Sequence, residues 1–413
     1  MEVAPDKSTS DRQAQYGRTA GALAGVRVLD LSRFIAGPVC AQNLGDMGAD
    51  VIKVERIGGE DTRHNEPRYN GKSLYTALFN RNKRAITLDT RSPKGQEMLR
   101  GLAAWADVIV ENFRPGTLEK MGLGYDTLRE IRNDIIVVSI SGFGQTGPNR
   151  DRVAFDCIAQ AMTGLMSLNA QPGGPPILTK IFPADSLAAS NATIGALAAI
   201  RHRDRTGEGQ IVDVSVFDSL FAAIGTSIPA YTVNGTLPAN NGNQDDYNAP
   251  ANLFPTADGY VYLHAGTNAF WARFCDDILG RPELITDSRF ESVSARMENQ
   301  AETEQLMTEW TSMRSGGEVE RAFARVGIPC AVVAGIAEAA KSPQVRAREM
   351  LVTLEDCDGD ELVVIGNPVK MSRSPVQTRL APPLIGEHND EVFTEVLKLD
   401  AGQIKSLRDM GVI

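Results

Sequence analysis

Three short loops in this 413-residue chain concentrate basic and amide-bearing side chains: Glu55-Arg56, Asn80-Arg81-Asn82-Lys83-Arg84 and Glu111-Asn112-Phe113-Arg114-Pro115-Gly116. Arginine and lysine there can neutralise phosphate oxygens through charge-assisted hydrogen bonds, and Phe113 or Phe34 can stack on a base or pack along an apolar arm. A solvated loop charge is the commoner fate of any one of them. Three clusters on one sheet edge point instead to a nucleotide-bearing ligand. A further feature is a carboxylate: Phe182-Pro183-Ala184-Asp185-Ser186 puts Asp185 where a loop becomes a helix of small residues. Position alone favours an N-cap, which aspartate often fills. The chemical alternative is a carboxylate kept ionised at a positive helix end, where it can act as a nucleophile.

Other chemistries lack their signatures. His64, His202, His264 and His388 are far apart, and no HxxxH or paired-cysteine cluster supports a metal site. Neither GxSxG nor a Walker loop occurs. Glu55 closes a strand as the ribose-binding acid of dinucleotide enzymes does, but Ser32-Arg33-Phe34-Ile35-Ala36-Gly37-Pro38 offers one glycine where three are needed. A nicotinamide enzyme is disfavoured on that ground.

The elements that must position these loops alternate. Residues 26–31 and 50–55 read as strands flanking a helix at 38–47, a βαβ unit, and the rhythm continues with strands at 85–88, 107–110 and 135–140 and helices at 94–105 and 125–131. This implies a mostly parallel sheet covered on both faces, whose carboxyl edge is the ligand-binding edge. Helices at 156–167 and from 185 or 186 to 203, the latter ended by Gly207 and Gly209, precede a strand at 211–215 and an apolar helix at 216–228. The rhythm stops in the Asn-, Asp- and Gly-rich segment 234–250. A hairpin at 253–264 and a mostly helical stretch follow, then strand-like runs at 351–354 and 362–365 and two terminal helices. The expected division is a flexible N-terminus at 1–22, a large α/β domain beginning at 23–216, a linker and active-site loop at 217–250, a small domain at 251–339 and a return to the large domain at 340–413.

Forty-two Lys and Arg against fifty-two Asp and Glu give a formal charge of −10, which disfavours broad nucleic-acid or anionic-membrane binding. Five cysteines without a CxxC pair fit a reducing compartment. The polar start has no signal-peptide core, and the most apolar helical stretch is interrupted by Ser190, Asn191 and Thr193. A cytoplasmic protein without a membrane span is expected.

Taken together, Leu31 to Pro38, Gly48 to Glu55, Asn82-Lys83-Arg84, Glu111 to Gly116, Ser141 to Pro148, Ala184-Asp185 and Gly386-Glu387-His388 resemble, in order and spacing, the class III CoA-transferases. The resemblance spans about Leu23 to Ile413. It implies that Asp185 is the catalytic aspartate, and that CoA is contacted by Ile35, Ala36, Arg56, Phe79, Asn80, Arg81, Asn82, Lys83, Asn112, Phe113, Arg114 and Lys120. No tightly bound cofactor or metal is implied; acyl-CoA and a small organic acid are the substrates. The implied fold is a large Rossmann-like open parallel sheet domain with a smaller α+β domain, assembled as an interlocked homodimer.

The implied reaction passes through an aspartyl anhydride and an aspartyl-CoA thioester, which must be screened from water. The lid expected to do this is the loop at 240–244, with Gly242, Asn243 and Gln244. Family members acting on oxalate carry consecutive glycines here, and Gln244-Asp245-Asp246-Tyr247 departs from that pattern. Relatives that racemise α-methylacyl-CoA place a histidine before the aspartate where this chain has Phe155-Asp156, and phenylalanine accepts no proton. Racemisation is therefore the minor reading, and an inactive CoA-binding protein a further alternative.

Overall fold

The computed structural model describes residues 21–413, so most of the segment expected to be a flexible N-terminus lies outside the described residues. The chain divides into two compact units. The first holds the described residues up to 165 together with 178–228 and 344–413; the second holds 166–177 and 229–343.

The first unit is built on strands β1 (Arg27–Asp30), β2 (Asp50–Glu55), β3 (Arg84–Thr87), β4 (Val108–Glu111), β5 (Ile136–Ser141) and β6 (Ile211–Ser215). All five pairings are parallel, and the strand order is 3-2-1-4-5-6. The order reverses between β1 and β4, which opens a crevice at the carboxyl edge. Successive strand residues point to opposite faces. Leu29, Ile52, Ile109 and Val137 enter one core with α3 (Pro93–Trp105) and α4 (Tyr125–Ile131). Their neighbours Val28, Val51, Val108 and Ile136 enter the other with α1 (Ala36–Asp46) and α6 (Pro183–Thr206).

Helix α6 buries a stripe of Ala184, Ala188, Ala192 and Ala196 at a spacing of four, the helical period, which lets it lie close to α1 and the sheet. Gly195 is required for that approach, since a Cβ there would sit 2.4 Å from Val212 Cγ1. The helix ends where Gly207 adopts φ +75°. The apolar helix expected at 216–228 stops earlier, as α7 (Val216–Ala223), because Gly225 turns left-handed at φ +72°.

The returning tail forms an antiparallel hairpin, Leu351–Glu355 with Glu361–Ile365, and two helices, Asn389–Glu395 and Ala401–Asp409, whose Phe393 and Leu407 complete the first core. It also covers the edge of β3. His388 exchanges bonds with Ala85, its N–H donating to the carbonyl at 3.0 Å and its Nδ1 accepting from the amide at 3.2 Å, while Asn389 Oδ1 accepts from the Thr87 amide at 2.8 Å. The Gly386-Glu387-His388 motif thus closes a sheet edge that would otherwise expose unpaired amides.

The second unit carries a three-stranded antiparallel sheet ordered Cys330–Val332, Gly259–His264, Ala251–Thr256. Phe254, Val261 and Leu263 face a core containing Trp271, Phe274, Phe290 and Phe323. Among the described residues no single helix is long and apolar enough to cross a membrane.

Candidate active site

The carboxyl edge of the first unit's sheet encloses a cavity of about 700 Å³ around the ends of β1, β2, β3 and β4. Arg33, Arg56, Arg91 and Lys120 supply its positive charge, and Phe113 an aromatic wall. The Arg33 guanidinium lies 5.7 Å from the Phe113 ring centre. Arg56 is exposed, donates to the Gly59 carbonyl at 2.8 Å and pairs with Asp61 at 2.5 Å.

Beneath the cavity lies a buried charge set. Lys53 donates to the Ser32 carbonyl at 2.9 Å and stands 3.3 Å from Glu60 Oε1, Lys83 pairs with Asp30 at 2.7 Å, and Arg63 grips Glu55 with a shortest contact of 2.6 Å. Three acids and three bases cancel. Burial alone would raise the Asp30 carboxyl, but Lys83 and Lys53 outweigh it and hold it below the usual carboxylate range. Burial likewise pulls against the Lys53 charge, and Asp30, Glu60 and Glu55 carry that amine above its ordinary value. Burial pulls Lys83 down to about 8, so the pair remains ionised at neutral pH. Removing one member leaves the other desolvated and unpaired. Lys83→Met is therefore expected to cost about 3 kcal/mol of stability, read as a lowered urea midpoint. A loss under about 1 kcal/mol would contradict a stabilising role for the pair.

The structure separates the sequence-predicted contacts. Arg56, Phe113 and Lys120 line the cavity. Ile35 and Ala36 are buried at the start of α1. Asn112 clamps the loop before them, its Oδ1 accepting from the Arg33 amide at 2.8 Å and its Nδ2 donating to the Arg33 carbonyl at 2.6 Å. Arg114 is exposed beside the cavity-lining Phe113. The loop after α2 (Leu74–Phe79) is different: Asn80, Arg81, Asn82 and Lys83 are all buried. Arg81 makes a bidentate pair with Asp46, Asn82 also donates to Asp46, and Asn80 accepts from Lys83. These side chains, read in sequence as phosphate binders, are spent on the interior. Phe79 packs edge-on to Tyr75, their ring centres 5.2 Å apart.

Sequence reasoning passed over Arg33 and the Leu88-Asp89-Thr90-Arg91 loop, which line the cavity. The available signal was position, since that loop follows β3 on the same carboxyl edge.

Asp185 lies outside this cavity, in the first turn of α6. It is not the N-cap that its position suggested. Phe182 holds that place, with Pro183 at the first helical position, so Asp185 is the third helical residue. The capping acceptor comes from α5 (Asp156–Met162): Asp156 Oδ1 accepts from the amides of Ala184 at 2.7 Å and Asp185 at 3.2 Å. Burial, with the Asp156 charge adding to it, pushes the Asp185 carboxyl up to about 7. The positive end of α6 acts in the opposite sense. Burial, and then the charges of Asp185 and Glu60, hold the Tyr75 hydroxyl above the usual phenol range. Tyr75 thus feels both Asp185 and an acid on the cavity wall. Its ring stands 6.3 Å from that of Phe182, and Phe155 meets Phe34 edge-on at 5.7 Å.

In the second unit, the loop with Gly242, Asn243 and Gln244 is tied down by Gln244 Nε2 donating to Glu304 Oε2 at 3.0 Å, and Gly242 takes φ +71°. In the first unit, Asp356, Asp358 and Asp360 form an acidic triplet around the Lys72 ammonium at 2.5–2.8 Å.

The model of CoA-transferase family III matches residues 23–389. The chain belongs to that family. The sequence motifs had pointed to the same family, and the CoA-transferase assignment makes the protein a transferase enzyme. This CoA-transferase is 37% identical over 394 residues to a succinyl-CoA–D-citramalate CoA-transferase of Chloroflexus aurantiacus, covering 94% of this chain and 97% of that one. It is 36% identical over 382 residues to a succinate–glutarate CoA-transferase of Agrobacterium fabrum, covering 91% and 95%. Among solved structures it resembles a CaiB/BaiF family protein from Brucella suis with a TM-score of 0.82 at 33% identity, covering 92% of this chain and all of that one. Rv3272 of Mycobacterium tuberculosis follows at TM-score 0.81 and 29% identity, covering 90% and 99%. The α/β class with a large parallel sheet, expected from the alternation of strands and helices, is the class observed.

Proposed function

We propose that this CoA-transferase moves CoA from an acyl-CoA donor of the succinyl-CoA kind to a small dicarboxylic acid, with Asp185 as the nucleophile. The observation that carries the reading is Asp185 itself, a half-buried carboxylate in the first turn of α6, beside the exposed aromatic face of Phe182 and the Tyr75 ring. Arg33, Arg56, Arg91 and Lys120 around the cavity support placement of the CoA phosphates there, with Phe113 against the base. Ile35, Ala36, Asn112 and the 79–83 loop are proposed to meet CoA through backbone and shape, and exposed Arg114 through its charge.

The chemistry balances without an outside reagent. A carboxylate oxygen of Asp185 attacks the donor thioester carbonyl and CoA thiolate leaves, giving a mixed anhydride. The thiolate attacks the aspartyl carbonyl and expels the donor acid, giving aspartyl-CoA. The incoming carboxylate then attacks that thioester and frees the thiolate, which takes the new acyl group and restores Asp185. Each high-energy acyl bond passes on, so hydrolysis is the competing loss. The loop of Gly242, Asn243 and Gln244 is the proposed shield, and a homodimer the proposed assembly, with exposed Ile181, Ile194 and Phe221 as apolar surface for a partner to cover.

Citramalate, glutarate and succinate, all dicarboxylates, are named in the relatives' activities. Incubation with succinyl-CoA or acetyl-CoA and a panel including succinate, malate, mesaconate, citramalate and glutarate, with mass detection of new thioesters, tests the reading. Transfer to at least one dicarboxylate is expected. Tight CoA binding with no new thioester from any acid would favour a binding protein instead.

A further inference from the structure

Helix α6 begins with a deficit. Its N-cap, Phe182, has no side-chain acceptor, Pro183 has no amide hydrogen, and the amides of Ala184 and Asp185 need partners from elsewhere. Asp156 supplies them from the first residue of α5, one carboxylate oxygen accepting both amides. Its other oxygen accepts from Gln160 Nε2 at 2.6 Å. Gln160, fully buried, is itself fixed by Thr179, donating to its carbonyl and accepting from its amide, each at 3.0 Å. Asp156 is only 4% exposed, so this is an interior clip and not a surface contact.

A neutral side chain could serve as a cap, since serine, threonine and asparagine do so in most helices. A buried carboxylate here does something more, because it accepts from the Asp185 amide at 3.2 Å and its charge adds to burial in raising the Asp185 carboxyl. We infer that Asp156 is a positioning residue for the reaction: it holds the turn that carries Asp185 through the amides of Ala184 and Asp185, and it places a second, buried carboxylate beside the nucleophile. The inference rests on Asp185 being the nucleophile, the reading proposed above.

Other elements packed on α6 bring charged and titratable groups of their own: Cys40 and Asp46 from α1, Cys157 from α5, Asp213 from β6 and Asp218 from α7. Tyr75 approaches from α2. None of these groups is among the causes of the raised Asp185 carboxyl, which are burial first and then the charge of Asp156.

The test compares wild type with Asp156→Asn and Asp156→Glu in two readouts, the pH profile of kcat/KM and an infrared titration of isotope-labelled aspartate with Asp185→Asn as the subtraction reference. In Asp156→Asn the amide oxygen still accepts from Ala184 and Asp185 while the charge is gone, and the bond from Gln160 Nε2 is lost because the asparagine NH2 cannot accept it. The acid limb, expected at about 7 in the wild type, should move down by about one unit, raising kcat/KM at pH 6 from about a tenth to about half of its plateau. Asp156→Glu keeps the charge and should keep the limb, at a lower plateau. An unmoved limb in both readouts for Asp156→Asn would overturn the inference and leave Asp156 as a structural cap. An infrared shift without a kinetic one would show that the two acids are coupled but refute Asp185 as the nucleophile, and the inference falls with it. Where the asparagine variant does not fold, Asp156→Ser, a smaller neutral cap, takes its place: a limb lowered by about one unit supports the inference, and an unmoved one overturns it.

Discussion

Asp185→Asn is expected to lower CoA transfer by a factor on the order of 10⁴ or more while the chain still folds and binds CoA. An amide nitrogen or oxygen at that point cannot form the anhydride, and no second carboxylate occupies the same place to replace it. Stability should move the other way. The folded chain holds a proton on Asp185 up to about pH 7, whereas the unfolded chain releases it near 3.8. Folded protein therefore binds more protons between those values, and wild-type stability falls as pH rises through that window. Asparagine does not ionise, so the variant should gain about 2 kcal/mol over wild type at pH 8 relative to their difference at pH 4, after allowance for the helix end and partial exposure. A residue kept for structure would lose stability on replacement and spare activity. A denaturation series at the two pH values, run beside the transfer assay, separates the cases.

The second large effect is on pH. Because the nucleophile is the ionised form, kcat/KM should fall about tenfold per unit below pH 7 and reach roughly a hundredth of its plateau at pH 5. Burial is the main cause of that high limb, with Asp156 second. Another acid, at the carboxyl edge of the sheet, is raised into this range: burial at the end of β4 pushes Glu111 up to about 7. Glu111→Gln is the control, and its limb should stay where the wild-type limb is. A wild-type profile flat down to pH 5 would mean that ionisation of Asp185 does not gate the reaction.

Much of the sheet was legible because its signals are local. The alternation within Val26 to Leu31 and Asp50 to Glu55 gives β1 and β2, and Gly207 marks the end of α6 from its own backbone freedom. Charge pairing is not local. Arg81 and Lys83 look like phosphate ligands in sequence, and nothing near them shows that Asp46 and Asp30, some 35 and 53 residues away, have already claimed them. Asp185 was found through a motif and misplaced by rule: aspartate is a common N-cap, but Pro183 two residues earlier fits the first helical position, which puts the cap on Phe182. That proline was the missed signal. The clip from Asp156 had none, since Gln160 and Thr179 stand 19 residues apart in sequence and meet only in the fold.

Covalent capture tests the central claim most directly. Hydroxylamine added during turnover with an acyl-CoA donor should intercept the aspartyl-CoA thioester and leave a hydroxamate, whose mass maps by peptide sequencing to Asp185. The adduct should require the donor and vanish in Asp185→Asn. Steady transfer in the presence of hydroxylamine, with the Asp185 peptide unmodified throughout, would contradict an aspartyl intermediate.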